Sequence, residues 1–265
     1  MRSSSAFWGV VLLLLGGLFL LGNLGILAID IWKVIGPLFL ILLGAWFLIG
    51  ATIGRRALPT QQASIPLEGA AHADVHVQHG AGRLEIRAGA ESGSLASGSF
   101  SGGLRFETRR EGDRLVARMR VGEQGVWGFP WTWAPRGLEW SFGLNQEIPI
   151  ALRLETGASE SQLDLRDLRL SEFSLKTGAS STVLTLPAAA GMTKASIQGG
   201  AASVSIRIPE GVAASILARG GLAGISVDTQ RFPRAGDRYQ SPDYEGAANR
   251  VDLHVEIGAG AVDVR

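Results

Sequence analysis

The stretch HADVHVQH places three side chains that could ligate a metal at every second position: His72, Asp74 and His76. Residues spaced by two along a β-strand lie on one face, so the three would share a face. Imidazole and carboxylate groups are zinc ligands, but a zinc site needs three or four of them at about 2.0–2.3 Å from the ion. A solvated polar strand face explains the pattern more simply, and we expect neither a bound metal nor a cofactor.

The tetrapeptide TGAS occurs twice, at residues 156–159 and 177–180, and each copy offers a serine hydroxyl. A hydrolase nucleophile usually sits in a G-x-S-x-G turn and needs a histidine base, and neither accompanies these serines. The sequence also lacks a phosphate-binding loop and a ladder of paired carboxylates suited to glycoside hydrolysis. We therefore predict that the protein is not an enzyme and that TGAS has an architectural role.

TGAS marks an internal repeat. Gly157, Gly178, Gly200 and Gly221 follow one another at spacings of 21, 22 and 21 residues, and Gly80 and Gly258 stand in similar flanking segments, HGAGRLEI and IGAGAVDV. The residues three before and six after each of these six glycines are all apolar. Side chains between them alternate with a period of two, which is typical of strands.

Each repeat thus predicts a strand, a tight bend at glycine, a second strand and a looser return. Glycine suits the bend because a Cβ would either disfavour a positive φ or collide with the neighbouring coil. A single coil cannot bury its apolar face, whereas stacked coils form a continuous core. The predicted fold is an all-β, solenoid-like repeat domain with coils of about 21 residues, covering residues 57–265.

Two insertions interrupt this repeat, at residues 88–151 and 231–250. The first contains a predicted hairpin, LRFETRREGDRLVARMRV, which turns at Gly112 and Asp113. The second is a polar loop.

A tryptophan-rich stretch ends the first insertion, and it includes Trp127, Phe129, Trp131, Trp133 and Trp140. These aromatic residues could cap the open end of the solenoid, because sheet edges must be covered. They could also dip into the membrane interface or bind a protein partner, since tryptophan is enriched in interface hot spots. The sequence leaves the three interpretations open.

Residues 1–56 form a predicted membrane module. Between residues 6 and 54 the only charged residues are Asp30 and Lys33, and this apolar run is about twice as long as one spanning helix needs. It predicts an α-helical transmembrane hairpin, with helices over residues 6–27 and 31–53 that pass through the lipid bilayer twice.

The charges that flank the hairpin predict its orientation. Arg2 precedes it and Arg55 and Arg56 follow it, whereas the turn carries one acid and one base. Positive residues favour the cytosolic side, so both ends, and with them the C-terminal domain, are predicted to lie in the cytoplasm beside the inner membrane.

Several segments resemble a known family. The hairpin FWGVVLLLLGGLFLLGNLGIL and the repeats LDLRDLRLSEFSLKTGASSTVLTLP and VDLHVEIGAGAVDV are similar to LiaF-type proteins and the related toast-rack domains. This resemblance implies a membrane-bound, non-enzymatic protein of the bacterial cell-envelope stress response. It also implies a sensor kinase as partner, because LiaF proteins restrain a two-component histidine kinase.

Two classes of function remain open from the sequence. The first is a regulatory module at the inner membrane that binds a membrane protein. The second is a scaffold or adhesin-like solenoid at the cell envelope, and homo-oligomers are compatible with both. The net charge of +1 provides no strong field for recruiting nucleic acid, so we expect no nucleic-acid partner.

Overall fold

The structure is a computed structural model that describes residues 40, 41, 44, 59–122 and 138–265. The chain divides into two units, Met1–Arg56 and Ala57–Arg265. Within the described residues, no helix is both long and apolar enough to cross a membrane. The predicted transmembrane hairpin falls almost wholly outside this part of the chain.

The described strands all belong to the second unit. They are β1 (Thr60–Pro66), β2 (His72–Ala88), β3 (Ser94–Ser101), β4 (Leu104–Glu111), β5 (Arg114–Val121), β6 (Glu139–Leu144), β7 (Ile150–Asp164), β8 (Leu170–Thr185), β9 (Met192–Arg207), β10 (Ala213–Val227), β11 (Arg234–Ala235), β12 (Arg238–Gln240) and β13 (Arg250–Val264). Together they form one 13-stranded sheet. The predicted all-β, solenoid-like architecture is confirmed for this domain.

Six long strands make the stacked coils, and neighbours among them run parallel in the order β2, β7, β8, β9, β13, β10. Each bends at its repeat glycine, as the burial pattern of β7 shows. Leu154 and Thr156 are buried before the bend, Gly157 and Ala158 are both exposed, and Ser159 is buried after it. The buried side chains therefore lie at even-numbered positions from Leu154 to the bend of β7 and at odd-numbered positions after it. In five of the six strands both arms supply the hydrophobic core, whereas the second arm of β10 contributes only the partly buried Ala223 and Val227.

The region predicted as a first insertion adds another coil to the stack. Strand β5 pairs in parallel with the first arm of β2, and β6 pairs in parallel with the second arm. Beyond them, β4 pairs with β5, and β3 and β1 extend the sheet from β6. The predicted hairpin is confirmed: β4 and β5 are antiparallel, and Gly112 in their turn has a φ of 66°.

The polar loop predicted for residues 231–250 contains two short strands. Strand β12 pairs antiparallel with β10 at only two positions, Ser215 and Ile216, and β11 pairs with β12. The loop therefore covers the start of the outer edge of β10.

The order of the coils differs from the order of the sequence. The segment of Gly258 follows all the other repeats in the sequence, but its strand β13 lies between β9 and β10 in the stack. The end of the stack is instead β10, which contains Gly221. The sequence could not distinguish these orders, because β10 and β13 present the same alternating apolar positions to a neighbour.

Candidate interaction surfaces

The six repeat glycines form a continuous column along the bends. A Cβ on Gly157 would lie 2.5 Å from the carbonyl oxygen of Gly80, and a Cβ on Gly178 would lie 3.0 Å from that of Gly157. The corresponding distances are 3.2 Å from Gly200 to Gly178, 2.7 Å from Gly258 to Gly200 and 2.9 Å from Gly221 to Gly258. Close stacking therefore explains five of the six glycines, whereas an added Cβ on Gly80 would meet no described atom within 4 Å. None of the six has a positive φ, so the alternative of a left-handed backbone is wrong.

The serine of the first TGAS copy belongs to the packing of the bend, whereas the buried Oγ of Ser180 in the second copy has no hydrogen-bond partner among the described residues. Ser159 is buried, and its Oγ lies 3.3 Å from Oγ of Ser161 on the same strand. The threonines that precede the bends also pair, because Oγ1 of Thr156 donates to Oγ1 of Thr177 at 2.9 Å. These hydroxyls satisfy one another inside the coil, and this arrangement is structural.

A shallow groove of about 740 Å³ follows the outside of the bends from β8 to β10. Four polar side chains line it, each two residues before a repeat glycine and each next to the following one in the sheet: Lys176, Gln198, Glu256 and Arg219. The glycine backbone forms the floor. The glycines have no side chains to fill this floor, so the space above the bends stays open. The charged side chains beside it carry both signs.

Glu155 extends this row of charges by one coil, next to Lys176. Its carboxylate accepts a hydrogen bond from Nε2 of Gln78 at 3.0 Å and lies 3.4 Å from Nε2 of His76. The hydrogen bond from Gln78 is the largest effect on the pKa of Glu155 and lowers it, and burial, the next largest, opposes this. The neighbouring His76 and Lys176 lower the pKa further. This carboxylate is therefore ionised at neutral pH, and the row carries its full charge pattern.

The three candidate metal ligands share the outward face of β2, as predicted, but they do not converge on one another. His72 lies 3.9 Å from Asp113, and Asp74 accepts hydrogen bonds from Arg114 at 3.1 and 3.2 Å. His76 faces Glu155 on the next coil. In the described ranges no group of three or more such side chains could hold a metal ion. The polar strand face is the interpretation that fits this geometry.

His254 occupies the position of His76 on its own coil but cannot reach it. The two histidines are in register across β7, β8 and β9, four strand spacings apart. At about 4.8 Å per spacing, their backbones are separated by about 19 Å.

Four of the five aromatic residues predicted to contact a partner or the membrane lie outside the described residues: Trp127, Phe129, Trp131 and Trp133. The fifth, Trp140, lies in β6 and is wholly buried. Its ring packs edge-on against Phe100, with 5.1 Å between the ring centroids. The contact role predicted for Trp140 is wrong, because the strand alternation turns this residue into the core.

The structure contains a buried histidine that no sequence motif predicted. His79 immediately precedes the bend of β2 and is 1% exposed. Its ring lies 5.4 Å from the ring of Trp140, and neither of its nitrogens has a hydrogen-bond partner among the described residues. Burial lowers its pKa to about 4, so the ring is neutral at physiological pH. His79 directly precedes a repeat glycine, and the equivalent residues in the next two coils are threonines. This equivalence is the sequence feature that could have predicted its burial.

Comparisons with known proteins agree with this architecture. Residues 54–207 match the family described as the N-terminal domain of toast_rack, and residues 6–48 match the LiaI-LiaF-like transmembrane region. No curated protein matches.

One solved structure is similar over 78% of this chain and 98% of its own length, with a TM-score of 0.71 and 20% sequence identity. It is a protein from Clostridium sporogenes to which a role in cell adhesion has been ascribed. At this identity the likeness concerns the fold.

Proposed function

This chain belongs to the toast_rack family and is membrane-anchored through a LiaI-LiaF-like region. From this premise we propose that it is a non-enzymatic regulator of the bacterial cell-envelope stress response that binds and restrains a two-component sensor kinase. In this proposal the membrane module crosses the inner membrane twice, and the β domain lies in the cytoplasm beside its partner.

The observation that carries the proposal is the groove along the bends. Lys176, Glu256 and Arg219 project from a ridge whose backbone is fixed by glycine stacking. Charges of both signs at fixed spacing favour a protein surface with a complementary pattern over a uniformly charged polymer. A rigid surface also loses little conformational entropy on binding, which suits a regulator held close to its target in the same membrane.

The tryptophan-rich segment is the second proposed contact. Trp127, Phe129, Trp131 and Trp133 precede β6 in the sequence, and the residues on either side of the segment belong to β5 and β6, beside the coil of Gly80. Aromatic anchors in interfaces typically cost at least about 2 kcal/mol when truncated, which is roughly a thirtyfold loss of affinity.

Crosslinking and co-purification from native membranes test the proposal. The wild type should recover a histidine kinase. A Lys176→Glu, Arg219→Glu double variant should recover much less of it, whereas Arg166→Glu, which changes an exposed residue in the return between β7 and β8, should recover the same amount. A Trp131→Ala, Trp133→Ala variant tests the aromatic contact separately. If the wild type recovers no kinase, the regulatory proposal is wrong.

Adhesion is the second candidate, and the similarity to the Clostridium sporogenes protein favours it. An adhesin must lie outside the cell, so topology separates the two candidates. The chain has no cysteine, which allows single cysteines to be labelled cleanly. In intact cells Ala248→Cys, at an exposed position, should resist a membrane-impermeant thiol reagent, while Asp30→Cys in the predicted periplasmic turn should react. The reverse pattern would favour adhesion.

A further inference from the structure

The last coil of the stack has an open edge. On one side β10 pairs with β13 along its whole length. On the other side, within the part of the chain that the structure describes, β12 pairs with it only at Ser215 and Ile216. The outer edge of β10 from Leu217 to Val227 is therefore without a strand partner, and it includes both arms of the bend at Gly221.

This edge lacks the features that usually prevent strands from pairing. Natural proteins protect exposed edges with lysine, proline, bulges or inward charges. The edge sequence LARGGLAGISV contains neither lysine nor proline, and its one charge is Arg219. Ile225 is also 36% exposed, so the edge has apolar character besides its free backbone groups.

Leu222 distinguishes this coil from the others. The residue after the repeat glycine is alanine in five coils, aligned in register across the sheet: Ala81, Ala158, Ala179, Ala201 and Ala259. In β10 the same position holds Leu222, which is 89% exposed. The large apolar side chain therefore occurs only where the stack ends, and a covering surface would bury it.

The opposite end of the stack is protected. The edge strand β4 has five charged residues among its eight, LRFETRRE, and β1 is polar and ends in Pro66. A head-to-tail contact would place the apolar edge of β10 against these charged or polar strands. The chemistry of the two ends thus favours pairing of the β10 edge with an identical edge.

We propose that two copies of this chain pair through the outer edges of β10, about a two-fold axis that passes through the bend. A rotation about the line that bisects the bend exchanges the two arms and reverses the strand direction. The two edges then run antiparallel, with the arm before Gly221 of one copy beside the arm after it of the other. Such an isologous contact closes as a dimer.

The glycine column makes the close approach possible. Gly221 has no side chain over the bend, so the backbone of a second copy can approach it as Gly221 itself approaches Gly258. The two Leu222 side chains then meet beside the axis. The pairing requires no kinase, so recovery of a kinase neither supports nor refutes it, although Arg219 belongs both to this edge and to the groove.

A cysteine at the axis tests the geometry in native membranes. A disulfide requires Cα atoms within about 7 Å of each other, and the proposed axis brings the two copies of residue 222 into that range. Under mild oxidation, Leu222→Cys should give a disulfide-linked dimer of the full chain. Val183→Cys, a 53% exposed position on an interior coil, should stay monomeric and controls for random collisions. Equal crosslinking of the two variants would overturn the proposal.

A charge at the same position tests the contact itself. Leu222→Arg places two like charges beside the axis, so a bifunctional crosslinker should no longer trap the dimer, whereas Val183→Arg should leave it intact. Since Leu222 is exposed in the monomer, an unchanged melting curve will show that the variant folds. A persistent dimer in Leu222→Arg, a ladder of larger oligomers in the wild type, or a crosslinked product containing a different protein at residue 222 would each refute self-pairing.

Discussion

The glycine column predicts a graded response to alanine. An added methyl group would lie 2.5 Å from a backbone oxygen at Gly157, 2.7 Å at Gly258 and 3.2 Å at Gly200. None of these residues has a positive φ, so backbone strain plays no part. Gly80 is the matched control, because no described atom lies within 4 Å of its added Cβ. The loss of stability should follow the order of these distances.

The magnitudes follow from two opposing effects. Overpacking a well-packed interior typically costs about 1–3 kcal/mol, and a backbone oxygen between stacked coils cannot move away as a side chain can. Replacing glycine by alanine also restricts the unfolded chain, which stabilises by about 0.4–1 kcal/mol. We expect Gly157→Ala to lose about 2 kcal/mol and Gly200→Ala about 1 kcal/mol or less. Gly80→Ala should be neutral or more stable by up to about 1 kcal/mol.

Urea denaturation of the full chain in detergent, followed by the β-sheet signal in circular dichroism, measures these differences. The midpoints should shift while the slope stays constant, because the substitutions change stability and leave the exposed surface on unfolding unchanged. Equal midpoints for Gly157→Ala and Gly80→Ala would refute the crowding argument. A uniform loss at all the glycines would instead indicate a general cost of alanine at the bends.

Three further predictions use the same measurement. His79 has its pKa lowered to about 4 in the folded domain, so between pH 6.5 and 4 the unfolded chain binds the extra proton. The free energy of unfolding should therefore fall by about 3 kcal/mol as the pH drops from 6.5 to 4, and it should not depend on His79 above pH 6.5. The His79→Thr variant should lack this part of the pH dependence. Trp140→Ala should cost about 3–5 kcal/mol by opening a cavity, whereas Phe106→Ala, at a 39% exposed residue, should cost about 0.5 kcal/mol or less. Gly112→Ala should cost about 1–2 kcal/mol because its φ is 66° with no crowding, and Gly112→Asn should cost less.

Much of the fold could be predicted from local spacing. The regular spacing of the repeat glycines identified the bends. Each coil needs a glycine at the same position along its strand, because the backbones of neighbouring coils approach closely there. The alternation around Leu154 and Leu163 identified the two arms, and the turn at Gly112 identified a hairpin. These features depend on residues close in sequence, so the sequence contains the necessary information.

Features that depend on distant partners could not be predicted in this way. Nothing local to Trp140 shows that Phe100, from another strand, covers its ring. The sequence likewise does not show that His76 faces Glu155 instead of a metal, since the two residues meet only through strand register. The pairing of β5 and β6 with β2 was missed because these strands carry no repeat glycine between them.

The position of β13 constrains how the domain can be made on the ribosome. Strand β7 docks on β2, which is already made, and β8 and β9 each dock on the coil synthesised just before, but β10 has its place beyond a neighbour that does not yet exist. At about 5–20 residues per second, residues 228–264 take roughly 2–7 seconds to emerge after β10. During that interval the apolar edge of β9 is open, and any pairing of β10 with β9 must be undone before β13 can enter. The rate-limiting step of folding should therefore be the insertion of β13, and a chaperone that holds β10 away from β9 would accelerate it.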